Sequence, residues 1–544
     1  MAVWNINPLS LVRESARSRR KSLAALACVI VVSLTLLWWP ARSRPARTWL
    51  ASEVPIAFWA WRSAAPNDED LQRAISETQA QSLFLRAGQI DYEGGELRRI
   101  RAVTGTLPQK IEIHLVYNAT RSCLAAFEKL DANDLALAIS GAYAEDVARA
   151  ARDGASVQGV QLDIDVPTRL LAGYERILRA VRASLPQGTR LSITGLLTWM
   201  DSPALKSTLS AVDFWMPQCY GATIPESLNR SISISSPSVV SRAIARVRAL
   251  DRPFYAGLSA YGYAIHYARN GSLVTLRGDM NPSLVAANSN FELVERRPFD
   301  ETGECGDQPA IASEWRYVYR ARSDCIVDGV WVKAGESMML DMSSVASLRE
   351  SAREVREQAG DLLLGICVFR LPMQGDPTTL TIREIACALS GAYPFASNDV
   401  EIKNDDTLDE KSDHQNHSLL VTISNEGTAS SLLGDDAMRL TLRLPRGSVR
   451  EISLRGFDSS GLLCEAPVKD GGNRNGRAQD CGARRANLLS LSKSFWPPGA
   501  KATARIEFKG KPPQSIDVEF SMRVDDGSEV SEKRTIEVKD RSAR

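Results

Sequence analysis

The chain lacks an excess of either charge. Its 544 residues include 66 lysines and arginines against 65 aspartates and glutamates, which leaves a net charge of +1. A nucleic-acid binder needs a basic surface to hold phosphates, so this balance leads us to expect no nucleic-acid partner. The length is roughly three to four times that of a typical domain and predicts two or more structural units.

Motifs for metal or thiol redox chemistry are also missing. None of the nine cysteines forms a Cys-x-x-C pair, so neither a zinc ribbon nor a redox motif is indicated. Histidine is scarce: His114 lies within a predicted strand, and the other three lie in loops or in a linker. We therefore predict no metal and no cofactor. A divalent-cation site built on Asp163 and Asp165 is the alternative.

Two cysteine pairs are spaced for disulfide bonds. Cys305 and Cys325 lie in one loop-rich stretch, and Cys464 and Cys481 flank a stretch rich in glycine and asparagine. Each pair could be bridged in an oxidising compartment. The remaining cysteines of the globular part are expected to be small core residues: Cys123, Cys219, Cys367 and Cys387.

One uncharged apolar run stands near the N-terminus. Residues 23–39, "LAALACVIVVSLTLLWW", are long enough to cross a bilayer at the short limit for a helix. Five basic residues precede this run within residues 1–22 and three follow it, a bias that keeps the N-terminus in the cytoplasm. This predicts a signal anchor in the inner membrane, single-pass, with the bulk of the chain in the periplasm. The alternative is a signal peptide cleaved near the small-residue triplet at 41–43.

Short apolar runs alternate with segments of helical spacing over residues 50–395. This repetition predicts an α/β fold, a (β/α)₈ TIM barrel, with an insertion at 264–342 between strands 7 and 8. A doubly wound open sheet is the alternative, but no glycine-rich phosphate turn follows the first strand. The eight candidate strands are 55–61, 82–87, 111–117, 157–165, 190–197, 211–219, 253–259 and 363–369.

The composition changes at the end of the predicted barrel. Residues 397–418 are polar, acidic and nearly free of apolar side chains, so they are interpreted as a linker. Alternating apolar and polar residues with turns between them then predict an all-β, sandwich-like domain over 419–544.

Two aspartates close the fourth predicted strand. In "VQGVQLDIDVP", residues 157–167, Asp163 and Asp165 are two positions apart and therefore point to the same side, into the barrel mouth. Two like charges in a partly dry site cannot both ionise without cost, so one pKa rises and that group becomes a proton donor. The pair is a candidate acid and the partner that tunes it, although a D-x-D on a strand is also common on surfaces.

The same stretch resembles the family 18 glycoside hydrolases, the chitinases and endo-N-acetylglucosaminidases. Their fourth strand carries D-G-x-D-x-D-x-E, and matching Gly159 places Asp163 on the last aspartate and Asp165 on the catalytic glutamate. Gln158 and Gln161 stand where the family has two aspartates. "QCYG", 218–221, is similar to the sixth-strand M-x-Y-D and matches Tyr220 to its tyrosine. The stretch also resembles a family of bacterial glycosidase-like barrels of unknown function.

The resemblance implies a role for three residues. Asp165 would be the general acid, Asp163 its positioning partner, and Tyr220 the donor to the acetamido oxygen that attacks the anomeric carbon. Aspartate is one carbon shorter than glutamate, roughly 1.5 Å. Either the backbone compensates for this difference, or the chemistry has changed or been lost.

Further side chains at predicted strand ends are candidates for substrate binding. Aromatic rings can stack on sugar faces, and amides can hydrogen-bond to hydroxyl groups. Each of these residues could instead be core or rim. The predicted set is Trp61, Tyr117, Asn118, Trp199, Gln218 and Tyr261.

Together these features predict a membrane-anchored periplasmic protein that resembles a glycoside hydrolase and acts on a polysaccharide or glycan. The alternative is a barrel of the cell envelope that binds a glycan or a protein without turnover.

Overall fold

A closed ring of eight parallel strands lies at the centre of the structure. The ring closes because β1 pairs in parallel with both β2 and β8. The strands are β1 (Ile56–Ala60), β2 (Ser82–Glu93), β3 (Glu112–Ala119), β4 (Ser156–Asp163), β5 (Arg190–Leu196), β6 (Phe214–Gln218), β7 (Phe254–Ser259) and β8 (Leu363–Phe369). Each lies where the apolar runs predict a strand, so the barrel prediction is confirmed.

Trp49–Arg544 forms one compact unit. This computed structural model describes residues 48–221, 225–228, 233–299, 314–373, 376–405, 407–408, 415–435, 437–465, 479–482 and 484–539.

Helices connect most of the strands and cover the ring. Their ends follow from capping: the longest one begins after Asp131, whose carboxylate accepts from Asn133 N and Asp134 N, and ends at Gly154 with a φ of 72°. Antiparallel strand Glu96–Ile100 follows β2. The helices are α1 (Asp68–Thr78), α2 (Arg121–Ala126), α3 (Ala132–Asp153), α4 (Leu171–Ser184), α5 (Leu205–Leu209), α6 (Pro237–Ala249), α7 (Val345–Gln358) and α8 (Ile382–Ser390).

Alternate residues of each strand pack inside and outside the ring. Val160 and Leu162 of β4 pack outward against the helices, whereas Phe84 and Phe214 fill the ring interior. Gly159 is required where β4 meets β5, because a Cβ there would clash with the carbonyl oxygen of Arg190. The packed interior closes the bottom of the barrel and leaves only the mouth for chemistry.

The insertion between β7 and β8 is an independent antiparallel sheet. Its five strands follow the spatial order Leu273–Arg277, Tyr263–Tyr267, Ser337–Met342, Glu314–Ala321 and Phe291–Phe299. A short helix, Pro282–Ala286, and a hairpin of Cys325–Val327 with Val330–Val332 complete it. Arg316 and Asp341 form a buried ion pair within this sheet, 2.6 Å from Nη2 to Oδ2.

A β-sandwich follows the barrel, as predicted. One sheet has the order Asn398–Asn404, Ser418–Asn425, Lys501–Phe508 and Val449–Arg455. The other has the order Gln479–Asp480, Ser459–Cys464, Leu488–Lys493, Met438–Arg443, Ser515–Arg523 and Glu529–Glu537. A two-stranded ladder joins Thr407–Leu408 to Gln415–Asn416. The inner faces share one core that includes the buried Trp496.

Part of the predicted linker is a strand of this sandwich. Asn398–Asn404 lies within residues 397–418 and pairs antiparallel with Ser418–Asn425. Ile402 from this strand is fully buried in the sandwich core. The low apolar content concealed the strand, because it lies at the edge of its sheet and Ile402 is its one fully buried apolar side chain.

The cysteine predictions are partly confirmed. Cys464 and Cys481 form a disulfide bond. The four cysteines expected in the core are all buried. Cys305 lies outside the described residues, so its predicted pairing with Cys325 has no structural description here.

The predicted anchor, residues 23–39, also lies outside the described residues. Among the helices of the described part of the chain, none is both long and apolar enough to span a membrane.

Candidate active site

Polar side chains from neighbouring strands meet around Asp163 at the barrel mouth. Its Oδ1 accepts a hydrogen bond from Thr194 Oγ1 of β5 at 2.7 Å, and its Oδ2 accepts from Asn118 Nδ2 of β3 at 3.1 Å. Gln218 Nε2 of β6 lies 3.5 Å from the same Oδ1. Asp163 thus points into the ring, and donors from both sides hold it as an acceptor.

The pKa of Asp163 reflects opposing influences. Loss of water raises the pKa of Asp163 above its usual range, and the hydrogen bonds from Thr194 and Asn118 and the positive charge of Arg86 oppose this shift only in part. These amide and hydroxyl donors hold the Asp163 carboxyl group as a hydrogen-bond acceptor and fix its orientation beside Asp165.

Asp165 follows the end of β4 and is exposed to the mouth. Removal of water by the surrounding protein, followed by the charge of Asp163, raises the pKa of Asp165 to about 7. A hydrogen bond from Gln218 opposes this shift. The carboxyl group is therefore partly protonated near neutral pH, which is the state that a general acid needs.

The backbone next to Asp165 is fixed by a buried tryptophan. Trp199 lies in the short 3₁₀ helix Leu197–Asp201, and its Nε1 donates to the carbonyl oxygen of Val166 at 2.9 Å. Val166 N in turn donates to Ile164 O at 2.8 Å. These bonds set the course of the chain on both sides of Asp165 after the strand ladder has ended.

An arginine extends the hydrogen-bond network away from the carboxylates. Arg86 Nε of β2 donates to Asn118 Oδ1 at 3.2 Å, and its Nη1 donates to the carbonyl oxygen of Trp61 at 3.2 Å. Asn118 therefore bridges Arg86 and Asp163, with its oxygen facing the cation and its nitrogen facing the anion.

Aromatic rings line the opposite side of the mouth. Phe369, the last residue of β8, stacks on Tyr220 with ring centroids 5.3 Å apart and an interplanar angle of 15°. Its centroid also lies 5.2 Å from that of Tyr261 and 5.4 Å from that of Trp59. Phe369, Tyr220 and Tyr261 are half-buried, so their rings retain exposed surface.

A buried arginine packs against two aromatic side chains on this side of the mouth. The guanidinium of Arg370 lies 4.5 Å from the ring centroid of Trp61 and 5.5 Å from that of Tyr261. Arg370 is itself held by Asp376, with Nε 2.6 Å from Oδ2. This ion pair fixes the two aromatic side chains by cation–π contacts.

Gln161 is integrated into the site although it differs from the family motif. Its Oε1 accepts from Trp59 Nε1 at 3.0 Å, and its Nε2 lies 3.5 Å from Ser192 Oγ. A neutral amide here satisfies the indole donor without placing a further negative charge beneath Asp163.

The structure places seven of the nine sequence-predicted site residues around the mouth. Asp163 and Asp165 form the pair, and Asn118 and Gln218 donate to it. Tyr220, Tyr261 and Trp61 lie on the opposite side of the mouth, where with Phe369 they form what we call the aromatic wall.

Tyr117 and Trp199 require correction. Tyr117 is fully buried in the layer between ring and helices, and its hydroxyl donates to Asp146 Oδ2 at 2.7 Å. Trp199 is fully buried and packs on Tyr174 at a centroid distance of 6.1 Å. Neither residue offers a ring face to a ligand.

Sequence reasoning missed Arg86, Thr194, Phe369 and Arg370. Each of the first three lies at or near the end of a predicted strand (82–87, 190–197 or 363–369) on its inward face, so strict strand alternation could have found them. Arg370 has no such signal, since its role depends on contacts with Trp61 and Asp376 that sequence spacing does not show. In the described part of the chain, no cluster of three or more His, Cys, Asp or Glu side chains could hold a metal ion.

A family model described as a domain of unknown function, DUF3142, matches residues 126–292. No curated protein matches the chain.

Among solved structures, the chain is similar to the spore cortex-lytic enzyme SleL of Bacillus cereus, with 16% identity over 62% of this chain and 74% of that one and a TM-score of 0.39. It is similar to a chitinase of Chromobacterium violaceum, with 15% identity, coverage of 62% and 98%, and a TM-score of 0.41. It is also similar to a family 18 N-acetylglucosaminidase of Paenibacillus barengoltzii, with 12% identity, coverage of 62% and 99%, and a TM-score of 0.38. The last of these is a family 18 enzyme. Because identities and TM-scores are low, function is inferred below from the side chains of the mouth.

Proposed function

We propose that this protein is a glycoside hydrolase that acts on a polysaccharide or glycan of the cell envelope, with Asp165 as its general acid. The observation that supports this most strongly is the contrast within the pair. Asp163 accepts hydrogen bonds from Thr194 and Asn118, while Asp165 has a pKa raised to about 7. We propose that the pair shares one proton and that Asp165 carries it, which gives the protonated acid and the ionised partner that hydrolysis of a glycosidic bond requires.

The proposed reaction begins with a proton transfer. Asp165 gives its proton to the glycosidic oxygen as the bond from that oxygen to the anomeric carbon breaks. By analogy with family 18, the substrate's own acetamido oxygen then bonds to the anomeric carbon, and Asp163 and Tyr220 orient that group. Water, deprotonated by the Asp165 carboxylate, later opens this intermediate and restores the acid.

The aromatic wall suits the same substrate class. Exposed ring surface on Tyr220, Tyr261 and Phe369 can pack against the apolar face of a sugar ring. Part of the proposal is that residues 23–39 anchor the protein in the inner membrane and place the barrel mouth in the periplasm.

A barrel that binds glycan without turnover is the second candidate. It is favoured by one observation: an aspartate stands where the family has the longer glutamate. A misplacement of about 1 Å can reduce a rate on the order of a hundredfold, so binding could persist after loss of catalysis.

The test is the release of reducing ends from cell-envelope polysaccharides by the full-length chain. Turnover that is abolished in Asp165→Asn supports the proposal. Asp201→Asn is the matched control, because Asp201 is an exposed carboxylate beyond the end of β5 that pairs with Arg246. Binding without turnover by the wild-type chain would favour the second candidate, and full turnover by Asp165→Asn would remove this residue from the mechanism.

A further inference from the structure

The rim between β1 and β2 carries positive charge that no carboxylate of the described residues contacts. Arg86 is half-buried, and its guanidinium has no ion-pair partner within 4.0 Å among the described residues. Its Nε and Nη1 are taken by Asn118 and the Trp61 carbonyl, whereas Nη2 has no acceptor in the part of the chain that the structure describes. A partly dehydrated cation normally acquires a paired anion.

A second arginine lies beside the first. Arg101 follows the strand Glu96–Ile100, in which Ile100 pairs with Gln89, and Val103 N donates to Ala87 O at 2.9 Å. This places the Arg101 backbone along the residues that follow Arg86. Arg101 is exposed and has no hydrogen-bond or ion-pair partner among the described residues.

The two arginines act on each other electrostatically. Burial and the charge of Arg101 both lower the pKa of Arg86, and the charge of Asp163 opposes them with a smaller effect. Elsewhere near the mouth, Arg370 is neutralised by a bidentate contact with Asp376. Arg86 and Arg101 therefore form a positive rim that Asp163 compensates only in part.

The nearest aromatic residue adds another donor. Trp61 Nε1 is buried and has no hydrogen-bond partner among the described residues, and the carbonyl oxygen of Trp61 already accepts from Arg86. Among the described residues, the β1–β2 rim thus combines two cations with one unpaired donor. A group that supplies oxygen acceptors and one negative charge would complement it.

We propose that the site recognises a glycan that carries a carboxylate, which the β1–β2 rim binds through Arg86 and Arg101. This inference rests on the proposed function and specifies its substrate class. The planar guanidinium fork matches a carboxylate. A single charge fits better than a dianionic group, because the Asp163 carboxylate lies only one amide side chain away from Arg86. The carboxylate can belong to a hexuronic acid or to a lactyl ether on an amino sugar.

The experiment compares three oligosaccharides of equal length: neutral N-acetylglucosamine, N-acetylglucosamine alternating with a hexuronic acid, and N-acetylglucosamine alternating with a lactyl-ether sugar. Affinity by calorimetry and kcat/KM are measured with the full-length chain in detergent. We expect the wild-type chain to bind at least one acidic oligosaccharide about tenfold or more tightly than the neutral one at low salt, as one charged hydrogen bond provides. Affinity separates a failure of this inference from a failure of the proposed function, because binding can be measured even when the protein cleaves none of the oligosaccharides.

Variants of Arg86 and Arg101 test whether the β1–β2 rim causes the preference for acidic oligosaccharides. Arg86→Gln and, independently, Arg101→Gln should reduce the acidic-to-neutral affinity ratio, and Arg86→Lys should retain more of it than Arg86→Gln. Arg101 is exposed, so its variant tests the rim even if Arg86→Gln misfolds. Arg73→Gln is the control, because Arg73 lies on α1 in an exposed pair with Glu69, and its ratio should match that of the wild type. Equal affinities for all three oligosaccharides, or a preference that survives both glutamine variants, would overturn the inference.

Discussion

At the scale of single residues, the different environments of Asp163 and Asp165 determine their roles. Both belong to one short segment, but only Asp163 is surrounded by donors from the neighbouring strands. Asp165 has fewer donors and lies beside a negative charge, so its pKa rises to about 7. The role of each carboxyl group therefore depends on its neighbours and not on its residue type.

Replacing Asp163 should change the pH dependence of the reaction. The charge of Asp163 is the second cause of the raised pKa of Asp165, so Asp163→Asn should lower that pKa. The general acid is active while protonated. The basic limb of the kcat/KM profile, expected near pH 7 in the wild type, should therefore move to lower pH. The profiles of both proteins provide the measurement, and an unmoved limb or a shift to higher pH would contradict the coupling.

Trp199 should act through the backbone of Asp165. Trp199→Phe removes the hydrogen bond to Val166 O but keeps most of the packing. We expect a loss of about 1 kcal/mol in the free energy of unfolding, together with a lower kcat and little change in KM. A variant that raises KM alone would instead indicate contact with substrate, as the sequence predicted.

At the scale of elements, alternation along strands explains which predicted site residues lie in the barrel mouth. Tyr117 and Asn118 are adjacent in β3, so their side chains face opposite sides and only one can enter the ring. The sequence predicted both as site residues, and Asn118 is the one that the structure places in the mouth. The positions of all eight barrel strands were predictable, because buried parallel strands are continuous apolar runs. Trp199 and Arg370 were not, because turns after the strands set their directions.

The strand Asn398–Asn404 provides a test of the sandwich edge. Ile402 is fully buried there, so Ile402→Ala should reduce the free energy of unfolding by about 2–5 kcal/mol. Lys403→Ala on the same strand should change it by no more than about 0.5 kcal/mol, since its pair with Glu401 is on the surface. Denaturant unfolding measures both, and equal small effects would mean that this segment is a linker after all.

Glu314 links the insertion to the segment after β6. Its carboxylate accepts from Ile234 N, Ser235 N and Ser233 Oγ, each at 3.1 Å. Burial raises its pKa to about 8. The folded protein therefore keeps a proton that the unfolded chain releases above about pH 4.3, and stability should fall as pH rises from there to about 8.

The variant Glu314→Gln should flatten this dependence. Its amide cannot ionise, so the slope of unfolding free energy against pH should decrease by up to about 1.4 kcal/mol per pH unit. Glu96→Gln is the control, because Glu96 is exposed. An unchanged slope in Glu314→Gln would contradict the raised pKa.

At the scale of the whole molecule, the barrel mouth and the N-terminal segment make separate predictions. If residues 23–39 anchor the chain with the basic residues in the cytoplasm, an alkaline phosphatase fusion after residue 50 should be active in a bacterial host. Extraction of the protein from membranes should require detergent. Recovery of a soluble form that begins near residue 44 would contradict the anchor and support cleavage.

The most direct test of the central claim, that Asp165 is a general acid, depends on the leaving group. An oligosaccharide that the wild-type chain cleaves has a poor leaving group that needs a proton, whereas the dinitrophenyl glycoside of the same sugar does not. Asp165→Asn should therefore lose about 10²- to 10⁴-fold in kcat/KM on the oligosaccharide and much less on the activated glycoside. Equal losses on both substrates, or no loss on either, would contradict the assignment of Asp165 as the acid.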